Sequence, residues 1–461
     1  MRLEDIIKGT NAVILHGTAG TQISSICSDS RKACAGSLFI AVKGFAADGH
    51  DFIPAALENG ATAVVDASRR DLALIADTFY GHPSGKLQLV GITGTNGKTT
   101  TVTLLFNLFR SLGYECGLLS TIANFVGPKR SETANTTADP ITINSLLAEM
   151  AQAGCQYCFM EVSSIGLEQE RVAGLEFKAG IFSNLTHDHL DYHKTFAEYL
   201  RCKKLFFDGL AKEAVAIINA DDRNGSVMVQ NCSARVVTFS CRSAADHSCK
   251  VLEESFEGML LRIDGTETWV RLVGRHNASN LLAIYTTAVE LGIPKDEVLT
   301  ALSTLESAPG RLEVIMCPRD LAVVIDYAHT PDALENVLET LRAVAPKREL
   351  VCLFGCGGDR DRSKRPEMAA IAEKLADKVI VTSDNPRTED PEAIIAEIMS
   401  GFKSTRKVVK ITSREDAIRA AVQFATPGST ILLAGKGHET YQIIGTEKKH
   451  FDEREIVKSV L

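Results

Sequence analysis

The sequence has no segment typical of a membrane protein and none typical of a nucleic-acid-binding protein. No apolar run approaches the ~18 residues of a membrane span, and the acids Glu4 and Asp5 stand where an export signal has its apolar segment. No block rich in lysine and arginine occurs, and the formal net charge is −8, which disfavours a nucleic-acid partner. We therefore expect a cytoplasmic protein with no membrane or nucleic-acid partner. A monomer is expected as well, although these features do not report the oligomeric state.

The sequence also lacks the cysteine spacing of a zinc site or a disulfide framework. Its 12 cysteines are scattered through apolar or neutral stretches. The single C-x-x-C, from Cys155 to Cys158, begins a predicted buried strand and has no second pair at zinc-like spacing. In a chain without an export signal, this pattern indicates reduced structural thiols, and a redox or metal role is the less favoured alternative.

The stretch V-G-I-T-G-T-N-G-K-T-T-T, which begins at Val90, is the most informative part of the sequence. The apolar run 87–92 predicts a buried parallel strand, and the spacing of leucines over 99–112 predicts a helix. Backbone N–H groups of a glycine-rich turn, together with the positive end of the following helix, bind phosphate oxygens. Lys98 would then reach the β- and γ-phosphates, and the Thr99 hydroxyl would ligate Mg²⁺.

This turn matches the general phosphate-loop pattern imperfectly. Ile92 stands where the pattern has its first glycine, and the nearest glycines are Gly91 and Gly94. An ordinary strand–helix turn with incidental glycines is therefore an alternative. The strand and helix patterns on both sides favour a loop that binds a nucleoside triphosphate.

The composition and the linker-like segments of the chain predict an α/β protein of three domains. The chain has 461 residues, 45% of them hydrophobic, which is enough for several cores and about two to four domains. Residues 1–86 form a small α/β unit that ends in a linker-like segment, 81–85. Its polar clusters at 28–31 and 45–50 are either plain loops, which local chemistry favours, or ligand contacts. Residues 87–311 and 312–461 form the second and third domains.

The second domain carries polar residues where its predicted strands end. Glu161 ends the strand predicted at 157–162, a position suited to a Mg²⁺ ligand. His187, His189 and His193 follow the strand predicted at 179–185, and one histidine at a Mg²⁺–phosphate site fits their irregular spacing better than zinc does. A helix predicted at 196–210 carries two adjacent lysines, which ordinarily belong to the solvent-exposed face of a helix. Residues 213–275 look β-rich, and a helix follows at 281–291.

The third domain alternates strands and helices, which indicates a parallel sheet with helices on its faces. Strands are predicted at 322–325, 350–354, 378–382, 407–411 and 430–433, and helices at 331–344, 365–375, 391–399 and 414–424. Polar motifs follow four of these strands, where ligands of such sheets bind. They begin at Asp326 (D-Y-A-H-T-P), Gly355 (G-C-G-G-D-R-D), Ser383 (S-D-N-P-R-T-E-D) and Gly435 (G-K-G-H-E).

Taken together, the motifs G-T-N-G-K-T-T, E-V-S-S, D-H-L-D-Y-H, H-N-A-S-N, P-G-R and D-Y-A-H-T-P resemble those of the ATP-dependent Mur ligases of peptidoglycan synthesis. D-N-P-R-T-E-D-P and G-K-G-H-E resemble the members that add 2,6-diaminopimelate. The resemblance spans the whole chain and implies three α/β domains, with a central ATP-binding phosphate-loop domain and a Rossmann-like C-terminal domain. It further implies that ATP activates the D-Glu γ-carboxylate of UDP-MurNAc-L-Ala-D-Glu as an acyl phosphate, which the amine of meso-diaminopimelate attacks.

The resemblance also implies cofactors and catalytic residues. ATP and Mg²⁺ are required, and the family's carbamylated lysine matches Lys203, although the alignment could slip by one to Lys204. Glu161, His189, Lys203 and Thr99 match the metal positions. The nucleotide and catalytic positions match Gly94, Thr95, Asn96, Gly97, Lys98, Thr99, Thr100, Asn277, Asn280, Arg311 and Asp326.

Two further sets of residues follow from the same resemblance. The UDP-MurNAc-dipeptide would be held by Ser28, Ser30, Phe45, Ala46, Ala47, Asn135, Thr136, Thr137, Ser163, Gln169, Arg171 and the carbamylated Lys203. The incoming diaminopimelate would be bound by Arg360, Asp384, Asn385, Pro386, Arg387, Gly435 and Glu439.

Arg387 is the residue that separates diaminopimelate from lysine. Diaminopimelate has a second carboxylate, which an arginine fork clamps with two hydrogen bonds, and Asp384 and Glu439 would take the adjacent ammonium. Lysine-adding relatives resemble this chain elsewhere but lack that arginine. Ala138 and Ile165 depart from the family pattern, which often has Pro and His there, and they put fine specificity in doubt rather than the reaction.

Three alternatives compete with a diaminopimelate-adding ligase. A lysine-adding ligase is disfavoured by Arg387, and a folylpolyglutamate synthase-like enzyme is disfavoured by the separate N-terminal domain. A non-catalytic nucleotide-binding module would be expected to have lost at least one of four residues that this chain retains. These are Lys98, Glu161, His189 and Lys203.

Overall fold

The computed structural model describes residues 1–44, 47–133, 135–186 and 190–461, with Leu190 and Asp191 described by their backbone alone. The chain divides into two compact units. The first contains Met1–Cys249 and Ser279–Leu302, and the second contains Lys250–Ala278 and Ser303–Leu461. Sheets that are mostly parallel and flanked by helices confirm the predicted α/β class.

The N-terminal part of the first unit is a four-stranded sheet. Its helices are Leu3–Ile6, Ile53–Glu58 and Arg69–Phe79. The first and the last of these were not predicted, and a capping box between Ser68 and Asp71 starts the last. Segment 81–85, expected to be a linker, lies largely in a 3₁₀ turn, Pro83–Lys86, in which Ser84 is buried and its Oγ accepts a hydrogen bond from the Glu176 backbone N–H. In spatial order the strands are Val13–His16, Ala63–Asp66, Ser37–Ala41 and Ser25–Cys27, the first pair antiparallel and the others parallel.

His50 gives this sheet a pH-dependent contact. Its ring nitrogens lie 2.6 Å from Asp48 Oδ1 and 2.9 Å from Asp66 Oδ1, and hydrogen bonds to these carboxylates, Asp48 first, raise the pKa of His50 above 6.5. Since the pKa is raised on folding, the stabilisation is complete below about pH 6.5 and is lost as the pH rises through the folded-state pKa. We expect NMR titration of His50 to show a midpoint above 6.5, which falls in Asp66→Asn. An unchanged midpoint in that variant would contradict the assignment.

The remainder of the first unit is built on a second, mainly parallel sheet. The strand that leads into the phosphate loop, Gln88–Thr93, lies in its middle, between Ala179–Phe182 and Tyr157–Glu161. A Cβ on Gly91 would lie 2.6 Å from the Phe206 ring, so this glycine lets a helix pack against the strand. In spatial order the strands are Arg235–Ser240, Val215–Asn219, Ala179–Phe182, Gln88–Thr93, Tyr157–Glu161, Cys116–Leu119, Asn124–Val126 and Lys129–Ser131, the last two pairs being antiparallel.

Helices flank this sheet, and the strands predicted in the following β-rich segment are present. The predicted helix 281–291 begins earlier, at Arg275, so the H-N-A-S-N motif lies within its first two turns. The strand His247–Ser255 pairs in parallel with Arg235–Ser240 at its first two residues, and Gly258–Ile263 and Thr266–Val270 form a hairpin. The helices are Lys98–Ser111, Pro140–Gln152, Ser164–Glu168, Leu190–His193, Phe196–Asp208, Gly225–Met228, Arg275–Glu290 and Lys295–Thr304.

The second unit contains a six-stranded sheet. All four predicted helices and all five predicted strands are present, and every predicted end lies within one residue of the observed end. The helices are Pro331–Val344, Lys364–Leu375, Pro391–Met399, Arg414–Phe424 and Glu453–Val460, and a hairpin joins Tyr441–Ile444 to Glu447–His450. In spatial order the strands are Glu313–Cys317, Leu321–Asp326, Thr430–Ala434, Leu350–Phe354, Lys378–Val381 and Val408–Lys410, with only the first pair antiparallel.

Across the described residues, no helix is long and apolar enough to cross a bilayer. All twelve cysteines are described and carry free thiols, most of them buried, in agreement with the predicted structural role. The predicted domain boundaries at 86/87 and 311/312 remain predictions.

Candidate nucleotide and substrate site

The phosphate loop joins the strand Gln88–Thr93 to the helix Lys98–Ser111. Gly94 and Gly97 have φ of 154° and 87°, and a Cβ on Gly94 would lie 1.9 Å from Ser183 Oγ. The backbone N–H of Thr95 donates to the Asn184 carbonyl, and that of Asn96 to the Asn184 side chain. The loop therefore needs glycine at these two places and is held in shape by the end of the neighbouring strand.

Two lysine ammonium groups converge on this loop. Lys98 Nζ donates to the carbonyl oxygens of Gly94 and Thr95, each at 2.9 Å. Lys203 Nζ donates to the same Gly94 carbonyl at 2.8 Å and is 1% exposed. Thr99 and Thr100, the other predicted members of the first helical turn, are buried. The arrangement concentrates positive charge at the turn, as an anionic phosphate chain requires.

The prediction that the lysine pair of helix Phe196–Asp208 forms a solvated face was wrong, because Lys203 is buried and the Lys204 side chain is only 13% exposed. The helix turns Lys203 into the protein, whereas Lys204 pairs with Asp208 along the helix. This difference supports Lys203 rather than Lys204 as the residue of the site.

Glu161 ends its strand as a buried carboxylate. Oε1 accepts a hydrogen bond of 2.8 Å from the Thr121 backbone N–H, while Oε2 is buried without a hydrogen-bond partner among the described residues. An unpartnered buried carboxylate oxygen is costly unless a cation or a donor arrives with the ligand. The residue therefore fits a Mg²⁺ ligand. His189, predicted to share that ion, lies outside the described residues, and the His193 ring contacts Ser164 Oγ at 2.9 Å.

A cavity of about 310 Å³ brings together three of the predicted UDP-substrate residues, Asn135, Gln169 and Arg171. Arg171 donates to the Thr137 carbonyl and, through Nε and Nη2, to Gln169 Oε1, and burial lowers the pKa of this guanidinium. The cavity wall adds residues that sequence reasoning missed. They are Gly44, Arg69, Leu72, Asp139 and Pro140.

Other predicted substrate residues surround the end of the Glu161 strand or lie in the N-terminal sheet. Thr137 Oγ1 donates to the Glu161 carbonyl and accepts from the Ser163 backbone N–H, and Thr136 accepts from Thr121 Oγ1. Ser30 is buried, whereas Ser28 and Ala47 are exposed. Phe45 and Ala46 lie outside the described residues.

Two predicted nucleotide residues are the asparagines of the H-N-A-S-N motif. Asn280 Oδ1 lies 2.5 Å from the position that a Cβ on Gly97 would take, so this side chain touches the phosphate loop. Asn277 belongs to the second unit, is buried, and donates through Nδ2 to the Val273 carbonyl at 2.7 Å.

In the second unit, Arg311 and Asp326 are adjacent. Asp326 Oδ2 accepts from the Leu312 backbone N–H at 2.7 Å, and burial raises the pKa of this carboxyl while the Arg311 charge opposes the rise. The guanidinium of Arg311 lies over the Tyr327 ring, and its Nε is buried without a partner among the described residues. That donor is available to a ligand.

The predicted amino-acid site of the second unit is organised by Lys436, which sequence reasoning missed. Its fully buried ammonium donates to Asn385 Oδ1 at 2.9 Å and lies 3.5 Å from Asp384 and 3.4 Å from Glu439. The two carboxylates expected to take a substrate ammonium therefore already share one positive charge. One net negative charge remains to attract a second ammonium.

Arg387 has an unusual backbone. Its φ is +51°, in the left-handed region that disfavours residues other than glycine. Its backbone N–H donates to the Ile443 carbonyl and its carbonyl accepts from Gly445 N–H, while Nη1 donates to the Gly358 carbonyl at 2.8 Å. These hydrogen bonds hold the residue in its strained conformation.

A second missed residue, Arg365, holds the loop that carries Arg387. Arg365 is fully buried, pairs with Glu389 at 3.0 Å, and donates to the Gly357 carbonyl. These hydrogen bonds lower the pKa of Glu389 to about 2, and Glu389 also accepts from the Asp359 backbone N–H. The two polar loops are thereby tied together. Of the other predicted residues, Pro386 and Gly435 are buried and Arg360 is exposed.

Sequence comparison matches three family models to the chain. The family model described as the Mur ligase middle domain matches residues 92–288, the Mur ligase glutamate ligase domain matches 310–437, and the Mur ligase family catalytic domain matches 22–83. The three matches agree with the predicted number of domains, and the predicted boundaries stay predictions.

Curated relatives match along the whole chain. Proteins named UDP-N-acetylmuramoyl-L-alanyl-D-glutamate–2,6-diaminopimelate ligase from Cytophaga hutchinsonii and Phocaeicola vulgatus are 48% and 49% identical, each over 100% of this chain and 99% of the relative. A solved structure with the same ligase name in its description is 32% identical, with a TM-score of 0.72, covering 100% of this chain and 98% of that one.

The strand–loop–helix unit, with its glycine turn and lysines, is that of the phosphate-loop class of α/β proteins. Within that class, the full-length similarity shows the family, and the chain belongs to the Mur ligases.

Proposed function

We propose that this chain is an ATP-dependent ligase that adds meso-2,6-diaminopimelate to the D-Glu γ-carboxylate of UDP-MurNAc-L-Ala-D-Glu. The product is the UDP-MurNAc-tripeptide of peptidoglycan synthesis. The observation that carries the proposal is the convergence of Lys98 and Lys203 on the phosphate loop, in a unit that also contains the buried Glu161 carboxylate and a cavity lined by predicted substrate residues. The names of the full-length relatives support the particular substrates.

In the proposed reaction the γ-carboxylate oxygen attacks the γ-phosphorus of ATP, the bond to the β-phosphate oxygen breaks, and ADP leaves. The amine of diaminopimelate then attacks the acyl carbon, loses a proton and expels phosphate. Repulsion between the anionic reactants is the main barrier that the protein must lower. Lys98 supplies positive charge at the loop, and Arg171 holds the carboxylate-bearing substrate in the cavity.

Glu161, Thr99, His189 and Lys203 are the residues that would hold Mg²⁺, Lys203 as a carbamate formed with CO₂. The unpartnered Glu161 Oε2 is the observation that fits such an ion. When bound, the ion would neutralise charge on the phosphate oxygens. Asn277, Asn280, Arg311 and Asp326 are proposed as further nucleotide residues.

Replacing Glu161 by glutamine separates metal binding from folding. We expect the melting temperature without ligands to be unchanged or raised, because an amide carries no buried charge. The additional stabilisation that ADP gives in the presence of Mg²⁺, relative to ADP with a chelator, should be largely lost, and kcat should fall about 10²-fold. Glu149→Gln, at an exposed carboxylate, is the matched control. A Mg²⁺-dependent shift that survives in Glu161→Gln would contradict the assignment.

Diaminopimelate is the proposed amino acid because of Arg387. Its guanidinium would clamp the carboxylate that lysine lacks, and Asp384 and Glu439 would hold the ammonium beside it. A ligase that adds L-lysine is the weaker alternative function, since Arg387 would then face no carboxylate.

Mass spectrometry tests the overall reaction. Incubation of the chain with ATP, Mg²⁺, UDP-MurNAc-L-Ala-D-Glu and meso-diaminopimelate should give the tripeptide, with one ADP and one phosphate per peptide bond. ADP formation without a new peptide bond would contradict the proposal.

A further inference from the structure

Lys436 is a fully buried lysine of the second unit, in the G-K-G-H-E loop that follows the strand Thr430–Ala434. Its Nζ donates to Asn385 Oδ1 at 2.9 Å and to the Tyr441 carbonyl at 2.7 Å. It is not among the residues expected to touch diaminopimelate. Its ammonium nevertheless lies at the centre of that predicted site.

The side-chain amide of Asn385 connects Lys436 to Glu439. Its Oδ1 accepts from the Lys436 ammonium and from the Ile443 backbone N–H, each at 2.9 Å, and its Nδ2 donates to Glu439 Oε2 at 2.9 Å. An ammonium and a backbone N–H can only donate, and an ionised carboxylate can only accept, so these partners determine which way the amide points. Lys436 therefore fixes Glu439 through Asn385 as well as by direct attraction.

Asp384 is the second carboxylate that Lys436 places. Its Oδ1 lies 3.5 Å from Lys436 Nζ. A Cβ on Gly435 would lie 2.6 Å from Asp384 Oδ2, so glycine at this position lets the carboxylate lie against the loop that carries Lys436. The side chains of Asp384 and Glu439 are only 8% and 13% exposed, so water screens their charges weakly.

Charge balance explains why a lysine is needed at this place. Two carboxylates in one buried site repel each other, and a cation between them satisfies both. With Lys436 present, the three groups together carry one net negative charge. That charge matches a single ammonium group of a ligand, which both carboxylates can contact.

We propose that Lys436 is a positioning residue that prepares Asp384 and Glu439 to bind the distal ammonium of the incoming amino acid. It fixes both carboxylates before the substrate arrives and leaves them the charge for one ammonium. The ligand class is an amino acid with a second amino group at its far end. The inference rests on the proposed addition of diaminopimelate and specifies how that substrate is recognised.

Lys436 and Arg387 have separate tasks in this arrangement. Arg387 would clamp the distal carboxylate, and its backbone is held by the Ile443 carbonyl and the Gly445 N–H. Neither of these hydrogen bonds involves Lys436. Removing the Lys436 charge should therefore weaken recognition of the distal ammonium and preserve recognition of the distal carboxylate.

Two amino acids separate these tasks experimentally. L-2-Aminoheptanedioate has the chain length and both carboxylates of diaminopimelate but lacks the distal ammonium. Initial rates of peptide formation are measured with each amino acid for wild type, Lys436→Met and Lys436→Gln, below the melting temperature of every variant. Lys407→Met is the control, because Lys407 is a lysine of the same unit whose ammonium donates to the Glu373 and Ala376 carbonyls at a helix end.

The wild type should prefer diaminopimelate over L-2-aminoheptanedioate by at least about tenfold in kcat/KM, which is the effect of one charge-assisted contact. Lys436→Met should reduce that preference to about threefold or less, mainly by lowering kcat/KM for diaminopimelate. Lys436→Gln keeps a donor but no charge, and it should reduce the preference as well. The KM values for ATP and the UDP-linked substrate should stay within about twofold, and Lys407→Met should keep the wild-type preference.

A merely structural Lys436 would give a different result. Its substitution would lower kcat/KM for both amino acids by the same factor, and the preference would stay at the wild-type value. That result overturns the inference, as does an equal loss of preference in Lys407→Met. A wild type without the preference, which is measured independently of any variant, overturns it too.

The same rates distinguish failure of this inference from failure of the proposed function. A wild-type chain that joins diaminopimelate to the substrate, while both Lys436 variants keep the preference, rejects the role of Lys436 alone. A wild-type chain that forms no peptide bond with diaminopimelate rejects the proposed function and this inference with it.

Discussion

Replacing Lys203 by methionine is expected to lower kcat by about 10²- to 10³-fold, whereas replacing the adjacent Lys204 should leave kcat within about twofold. Lys203 is buried and donates to the Gly94 carbonyl of the phosphate loop, while Lys204 pairs with Asp208 along the helix. Removing one preorganised charge from a water-excluded site costs about 3–4 kcal/mol of transition-state stabilisation. The two lysines share a helix and a chemical type, so they are a closely matched pair.

The measurement is kcat for both variants at saturating substrates, together with their melting temperatures. Lys203→Met should melt at or above the wild-type temperature, because methionine carries no charge into the buried position. Equal loss of activity in both variants would contradict the assignment, as would loss in Lys204→Met alone.

Substituting Arg387 should lower kcat/KM for meso-diaminopimelate by about 10²-fold, which corresponds to ~3 kcal/mol for a lost charge-assisted contact. The KM values for ATP and for the UDP-linked substrate should change little. The backbone of Arg387 makes Arg387→Gly the most informative variant. Because φ is +51°, glycine relieves backbone strain, and stability should be maintained or raised while recognition is lost.

Arg387→Met removes the guanidinium without relieving the strain, and Arg406→Met, at an exposed arginine of the same unit, is the control. Both Arg387 variants should lose diaminopimelate recognition equally. If Arg387→Gly instead destabilised the chain and retained kcat/KM, the residue would be structural and the specificity argument would fail.

The regular elements of the second unit could be predicted closely because their local signals agree. Thr330, Asp390 and Ser413 cap three of its helices, and the strands between them are continuous apolar runs. Elements without such signals were missed. The hairpin after Tyr441 is mostly polar, and the strand Glu313–Cys317 is half-exposed at the sheet edge.

Site residues that belong to a recognisable motif could be predicted from the sequence. Residues that join the site because the fold buries them could not. Motif matching pointed to Lys98 and Glu161, whereas composition alone put Lys203 on the solvated face of its helix. Lys436 and Arg365 are charged residues that the sequence gives no reason to bury. Their partners lie up to 51 residues away in the sequence, and only the fold brings these residues together.

The measurement that tests the account most directly is phosphate release by the wild-type chain with ATP, Mg²⁺ and UDP-MurNAc-L-Ala-D-Glu, with meso-diaminopimelate or L-lysine as the amino acid. We expect release with diaminopimelate and a kcat/KM at least about 10²-fold lower with lysine. Equal or faster release with lysine would contradict the role of Arg387. Release that is independent of any amino acid would contradict the ligase reaction itself.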